Sequence, residues 1–317
     1  MYKKLVSMLC IISMVLSLSF QLCVADTPKT AQDYINDAEK QIAAGDNYNA
    51  LISLEQASKL DPRNAYIYYE KAYALLNLNK YNEALIEINK ALDILPTYPG
   101  AYFAKGRILQ LLKKYDESNI CYKKAIQLYP KFGGFYSYYA ASLSEQGKDA
   151  EALDYFYKAI QLDPTDVNTY CNLSLAFRNL GKYGDALKTV EKALALVPNY
   201  PVALNVKGYI LIDLKKYNDA ITNLDLAIKY NPDMVEAYHN KGNALFFLKK
   251  YNDAIKCYDT VIAKDSSFIE AYLNKGSSLE MLNKYKEAVA CYDSALKVAP
   301  DNKDALAKKL AAQKKIK

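Results

Sequence analysis

The sequence predicts an all-α fold of eight helix–turn–helix units, each 34 residues long, followed by one more helix. Three observations predict it. The segment from Glu236, EAYHNKGNALFFLKKYNDAIKCYDTVI, is nearly restated from Glu270 as EAYLNKGSSLEMLNKYKEAVACYDSAL, an offset of 34 residues. Prolines recur at the same step, at Pro62, Pro96, Pro130, Pro164, Pro198, Pro232 and Pro300, and Ser266 holds the one remaining place. Within each unit the apolar residues are spaced as on a helix, and that spacing breaks once in the middle and once at the proline. A fixed internal period decides the architecture before any other reading.

In chain order, residues 1–25 read as a targeting segment and stand outside the fold. Lys3 and Lys4 form a basic start, an apolar run broken only by serines extends from Leu5 to Phe20, and the segment ends on the small residue Ala25. The expectation is a secretory signal; the alternative is an uncleaved N-terminal anchor, since Leu5 to Ala25 is long enough to span a bilayer. Leu22 before Cys23 argues against lipid attachment there. Either reading puts the rest of the chain outside the cytoplasm, secreted, periplasmic or at the cell surface. Residues 26–30 form a short linker, and the eight units occupy 31–302 with starts at 31, 65, 99, 133, 167, 201, 235 and 269.

Four places in the unit carry its packing. The fourth is Tyr34, Tyr68, Tyr102, Tyr136, Tyr170, Leu204, Tyr238 or Tyr272. The eighth is always small: Ala38, Ala72, Gly106, Ala140, Ser174, Gly208, Gly242 and Gly276. The twentieth is alanine except at Ser118, and the twenty-seventh is alanine except at Val261. Large residues on one helix thus face small ones on the other, and the two helices can approach closely. The first unit is the least regular, with polar Asp37 and Gln41 at apolar places and Tyr48 displaced by one, as suits a terminal repeat with one face in water. Pro99 and Pro201 open their units, where a helix tolerates the missing N–H. Gly133-Gly134 opens the fourth, which marks it as the weakest joint of an array otherwise counted as one continuous body. Residues 303–316 are predicted to form a capping helix within a basic tail, 303–317.

On these residues the chain resembles the tetratricopeptide repeat family over 31–302. Tyrosine stands where that family usually has tryptophan, and the chain has none. The seventh place, usually leucine, is lysine at Lys71, Lys105, Lys207, Lys241 and Lys275. The resemblance implies antiparallel helix pairs stacked into a right-handed α-solenoid, with first helices lining a concave groove that takes a peptide or protein.

Composition excludes several function classes. Formal charge is +6, but Lys3, Lys4 and the lysine-rich tail carry all of it and leave the array near −1, so no nucleic-acid stripe is expected. The tail reads as a solvated cap or as a contact to an anionic membrane surface. His239 is the only histidine, no C-x-x-C occurs, and phosphate-loop and nucleophile-elbow motifs are absent, so no metal, cofactor or enzymatic activity is expected. Cys121, Cys257 and Cys291 share the twenty-third place and Cys171 the fifth; stacked equivalent places lie too far apart for a disulfide.

The candidate site is the face formed by places 2, 5, 9, 12 and 13 of the first helices. It carries Tyr66, Tyr69 and Tyr73 in the second unit, Phe103 and Arg107 in the third, and Arg178 in the fifth. Tyr209, His239, Asn243 and Phe246 continue it in the sixth and seventh units. Aromatic side chains anchor peptides because they bury area with little rotamer loss, and arginine suits a carboxylate. Chance clustering of a tyrosine-rich chain, and arginine pairing with a neighbouring acid, are the plain alternatives. No unit has lysine at its fifth place, which argues against the chaperone-tail mode known in this family. The expected function is a non-enzymatic interaction scaffold; the alternatives are an envelope protein contacting glycan or lipid and an accessory subunit of an enzyme complex. The seventh-place lysines are expected to pair with the twenty-fifth place of their own unit, Lys207 with Asp225, Lys241 with Asp259 and Lys275 with Asp293, while Lys71 and Lys105 point outward.

Overall fold

The structure, a computed structural model, describes residues 28–316. The targeting segment and the start of the linker lie outside the described residues. Those described form seventeen helices and no strand. The chain divides after Leu128 into two compact units, in the connection just before Gly133, where the sequence reading has one continuous body. The first contains α1 (Ala31–Ala43), α2 (Asn47–Leu60), α3 (Ala65–Asn77), α4 (Tyr81–Ile94), α5 (Pro99–Leu111) and α6 (Tyr115–Leu128). The second contains α7 (Gly133–Glu145), α8 (Asp149–Leu162), α9 (Val167–Asn179), α10 (Tyr183–Leu196), α11 (Pro201–Asp213) and α12 (Tyr217–Tyr230). It continues through α13 (Val235–Phe247), α14 (Tyr251–Lys264), α15 (Ile269–Met281), α16 (Tyr285–Val298) and the closing α17 (Lys303–Gln313), which ends three residues short of the sequence expectation. Each repeat is one helical hairpin. Within each unit, a second helix packs on its own first helix and on the first helix of the next repeat.

Every turn inside a repeat is made the same way. The fifteenth residue takes a left-handed conformation, at Gly45, Gly147 and Gly181 but also at Asn79, Lys113, Lys215, Lys249 and Asn283. Its N–H and the next one return to carbonyls of the preceding helix, as Lys249 N to Phe246 O and Lys250 N to Leu245 O, both 2.9 Å. This caps the helix end and reverses the chain. The turn between repeats is tied by the fourth-place tyrosine. The hydroxyls of Tyr68, Tyr136, Tyr170 and Tyr272 donate to the carbonyls of Pro62, Pro130, Pro164 and Ser266, at 3.1–3.2 Å. That bond gives a reason for tyrosine at this place.

The eighth place meets the twenty-fourth. A Cβ on Gly242 would lie 2.6 Å from the Tyr258 ring, and one on Gly276 would collide likewise with Tyr292. Both tyrosines are fully buried, and their hydroxyls donate to Asn243 (2.8 Å) and Glu280 (2.6 Å). The Gly133-Gly134 pair is also a packing device. Gly133 starts a 13-residue helix with no turn lost, and a Cβ there would lie 3.0 Å from the Ala159 carbonyl oxygen.

The seventh-place lysines pair, but with a different repeat from the one expected. Lys207 meets Glu191 (3.1 Å), Lys241 meets Asp225 (2.6 Å) and Lys275 meets Asp259 (2.5 Å), each the twenty-fifth place of the preceding repeat. Lys71 does not point outward: it is nearly buried and bonds Glu55 at 2.7 Å and Ser58 at 2.9 Å. The reason is rotational. The eighth place looks at its own second helix, so the seventh, about 100° round, looks at the previous one. Lys309 of α17 holds Asp293 at 2.7 Å in the same register, so the closing helix is packed as the first helix of a ninth repeat. In the first repeat Asp37 pairs instead with Lys29 at 2.6 Å.

These pairs are half in water, the acids being 43–55% exposed, so each contributes little. Burial works against the Lys241 ammonium, but the hydrogen bond and charge of Asp225 more than reverse it and raise its pKa above 10.5. A raised lysine stabilises fully below its unfolded pKa, so this contribution persists at neutral pH and fades only as pH climbs above about 10.5. A double-mutant cycle on Lys241→Met and Asp225→Asn is expected to give a coupling of about 0.5–1 kcal/mol. The same cycle with Asp259→Asn is expected to give none, because Asp259 belongs to Lys275.

Candidate functional site

In the first compact unit the neighbouring first helices α1, α3 and α5 present one face. Tyr66 and Tyr69, a turn apart on α3, stack with centroids 6.0 Å apart, and Tyr69 also contacts the Tyr98 ring at 5.2 Å. Tyr98 folds back because Gly100 leaves room; a Cβ on Gly100 would sit 3.1 Å from its ring. The Tyr66 hydroxyl donates to Glu39 on α1 at 2.8 Å. Tyr73, one turn further, is 37% exposed. Phe103 on α5 packs on Tyr122 at 6.0 Å, and the Tyr122 hydroxyl donates to Gln110.

Charge acts on this cluster from both sides. Burial pushes the Tyr69 hydroxyl up, helped by Glu70 and Tyr73, while the Arg107 guanidinium opposes the rise. Burial likewise raises the Glu70 carboxyl, the Tyr66 hydroxyl bond lowers it, and Glu39 adds to the rise. The structure therefore brings Tyr66, Tyr69, Tyr73 and Arg107 together. It adds Tyr98, Glu39 and Glu70, which sequence reasoning missed. Tyr98 is the last residue of its repeat, in a turn, outside any helical count.

The second unit uses its site residues on one another. The Arg178 guanidinium holds Asp213 of α11 through Nε at 2.5 Å and Nη2 at 3.3 Å, and its centre lies 3.6 Å over the Tyr209 ring. Of the two readings of Arg178, pairing with a neighbouring acid is the one the structure shows. Asn240 donates to Asn205 at 2.9 Å. Asn274 lies 3.0 Å from His239 Nε2 and donates to Asn243 Oδ1, which also accepts from Tyr258. Next to this network is a cavity of about 380 Å³ lined by Asn243, Phe246, Phe247, Tyr258, Asn274, Ser277 and Lys308. Phe246 stands edge-on to Tyr251 at 5.5 Å, and Phe247 stacks on Tyr217 at 5.3 Å.

His239 is a satisfied histidine, half-buried between Tyr258 and Phe268. Burial lowers its pKa below 6.5, with Glu270 partly offsetting this. A base depressed in the folded state takes up protons more readily when unfolded. Stability is therefore full above about pH 6.5 and is lost as pH falls through the folded value. Thermal melts between pH 7.5 and 5 are expected to show a decline that His239→Gln flattens. The four cysteines among the described residues are buried free thiols, and burial pushes Cys171 up to about 12, so they are poor nucleophiles.

The closing helix packs on α16 with most of its residues exposed, and two of the tail's lysines make contacts. Lys308 reaches Ser277 at 3.4 Å, while Lys315 reaches Glu280 at 3.4 Å and lies over the Tyr285 ring. Among the described residues no helix is long and apolar enough to cross a membrane, and no cluster of three metal-ligating side chains occurs.

Family models for tetratricopeptide repeats match residues 53–86, 99–132, 208–248, 235–268 and 269–302. The chain belongs to the tetratricopeptide repeat family. A model described as anaphase-promoting complex, cyclosome, subunit 3 also matches 145–227. No curated protein matches the sequence. Among solved structures, the repeats are similar to the Cut9–Hcn1 hetero-tetramer of APC/C (TM-score 0.67, 18% identity, 93% of this chain and 58% of that one). They are equally similar to yeast Tom70 (0.67, 17%, 92% and 65%), and to Pseudomonas aeruginosa pilF (0.55, 20%, 64% and 92%). The chain thus spans less than two thirds of the first two. At these identities the likeness is one of fold, and the tetratricopeptide hairpins described above account for it.

Proposed function

We propose that the chain is a non-enzymatic protein-interaction scaffold acting outside the cytoplasm, and that a peptide or protein segment lies along its first-helix face. The observation that carries this reading is the cluster on α3 and α5. Tyr66, Tyr69 and Tyr73 stand in line with an exposed edge, with Arg107 beside Tyr69 and Phe103 on the next helix. Such a cluster offers rigid apolar area and a cation at low entropic cost. Anchoring is assigned to the first compact unit on its line of tyrosine rings, which ends in the exposed Tyr73. Membership of a family of interaction repeats supports the scaffold reading. The order of basic, apolar and small residues in 1–25 supports export.

The test uses partners captured from the envelope fraction and identified by mass spectrometry. Tyr69→Ala with Phe103→Ala is expected to lower affinity by about 2–4 kcal/mol, against under about 1 kcal/mol for rim residues. Unchanged affinity, with helical content and melting intact, would sink the anchoring role.

A further inference from the structure

The lysine–acid pairs between repeats have one interruption inside the second compact unit, and a cavity lies there. At the joint of the fourth and fifth repeats the two places hold Tyr157 and Leu173 in place of an acid and a lysine. Elsewhere in this unit a lysine stem and its carboxylate partner bridge the cleft between one second helix and the next first helix. Leucine is too short to bridge it and carries no charge. Between α8 and α10, with α9 beneath, a cavity of about 430 Å³ opens.

Its floor is apolar. Leu173 and Phe177 are buried at its base, Leu153 and Ile160 of α8 form one side, and Tyr157 stands half-exposed at the edge. The opposite side is basic, with Lys182, Lys188 and Lys192 lining it and Asp185 the only acid among the lining residues. None of these three lysines has a carboxylate within ion-pair distance among the described residues. The volume is within the range of small-ligand sites, roughly 300–1,000 Å³.

We propose that this cleft binds a free small amphiphilic anion: an apolar body seated on Leu173 and Phe177, carrying one carboxylate or sulfonate that meets Lys188 and Lys192. Charge complementarity sets the sign of the ligand. The apolar floor requires a hydrocarbon or aromatic body, because inorganic phosphate would leave it exposed to water. The site is independent of the first-helix face, since its lysines lie on a second helix.

The test is calorimetric titration of the full chain with monomeric decanoate and with decyltrimethylammonium, which has the same apolar body and the opposite charge. Decanoate is expected to bind saturably at one site, weaken at least tenfold with Lys188→Gln and Lys192→Gln, and weaken with rising salt. The cation is expected not to bind. Tyr157→Asp with Leu173→Lys, which writes the ordinary lysine–acid pair into this joint, is expected to abolish decanoate binding with the melt preserved. The lysines are exposed, so their substitution leaves folding out of the comparison. Equal binding of both amphiphiles, indifference to the lysine variants, or capture by anionic vesicles without decanoate binding would overturn the proposal.

Discussion

Gly242→Ala is expected to destabilise the second compact unit by about 1–3 kcal/mol, as overpacking in a close-packed core does. The added Cβ would lie 2.6 Å from the Tyr258 ring, and that ring has nowhere to go. Tyr258→Ile alone is expected to cost on the order of 2 kcal/mol, from the cavity and the lost bond to Asn243. The two together write into the seventh repeat the Ala72–Ile88 pair that the second repeat already holds, both side chains fully buried. The double variant is therefore expected to lose clearly less than the sum, with urea unfolding as the measure. Strict additivity would show that these two places do not share one packing site.

Lys215→Gly with Lys249→Gly is expected to do the reverse and stabilise the same unit by about 2 kcal/mol. Both residues hold left-handed backbone, with φ of 59° and 60°, which costs an L-residue roughly 1–2 kcal/mol. Glycine removes that strain and returns less than 1 kcal/mol of it through a more flexible unfolded chain. The first, fourth and fifth repeats already use glycine here, at Gly45, Gly147 and Gly181. The expected result is a higher urea midpoint with an unchanged slope. A lower midpoint would mean that the lysine side chains stabilise the turn by more than the backbone strain costs.

The hairpins were legible because the period is written in covalent order: the small eighth place, the alanines and the prolines mark each element and its end. Partners across repeats were not legible to the same degree. Lys241 stands eighteen residues before Asp259 and sixteen after Asp225, and spacing alone does not choose between them. Rotation of the first helix between two second helices does. The polar links of the second unit follow a different offset, 35 residues, for Arg178 to Asp213, Asn205 to Asn240 and His239 to Asn274. A search for complementary side chains one residue beyond the period would have found them. Tyr98 had no such signal, because its place in the face depends on a turn and on the space left by Gly100.

A second surface competes with the first-helix face of the first compact unit. Ile52, Ile86 and Ile120, on α2, α4 and α6, share the twenty-second place of their repeats, and all are more than half exposed. The most direct test of the central claim is photo-crosslinking in cells that produce the chain, with a benzophenone amino acid placed at Tyr73 or at Ile86. Tyr73 is predicted to capture a protein partner that is lost with Tyr69→Ala and Phe103→Ala. Capture from Ile86 alone, with Tyr73 silent, would contradict the assignment of binding to the first-helix face.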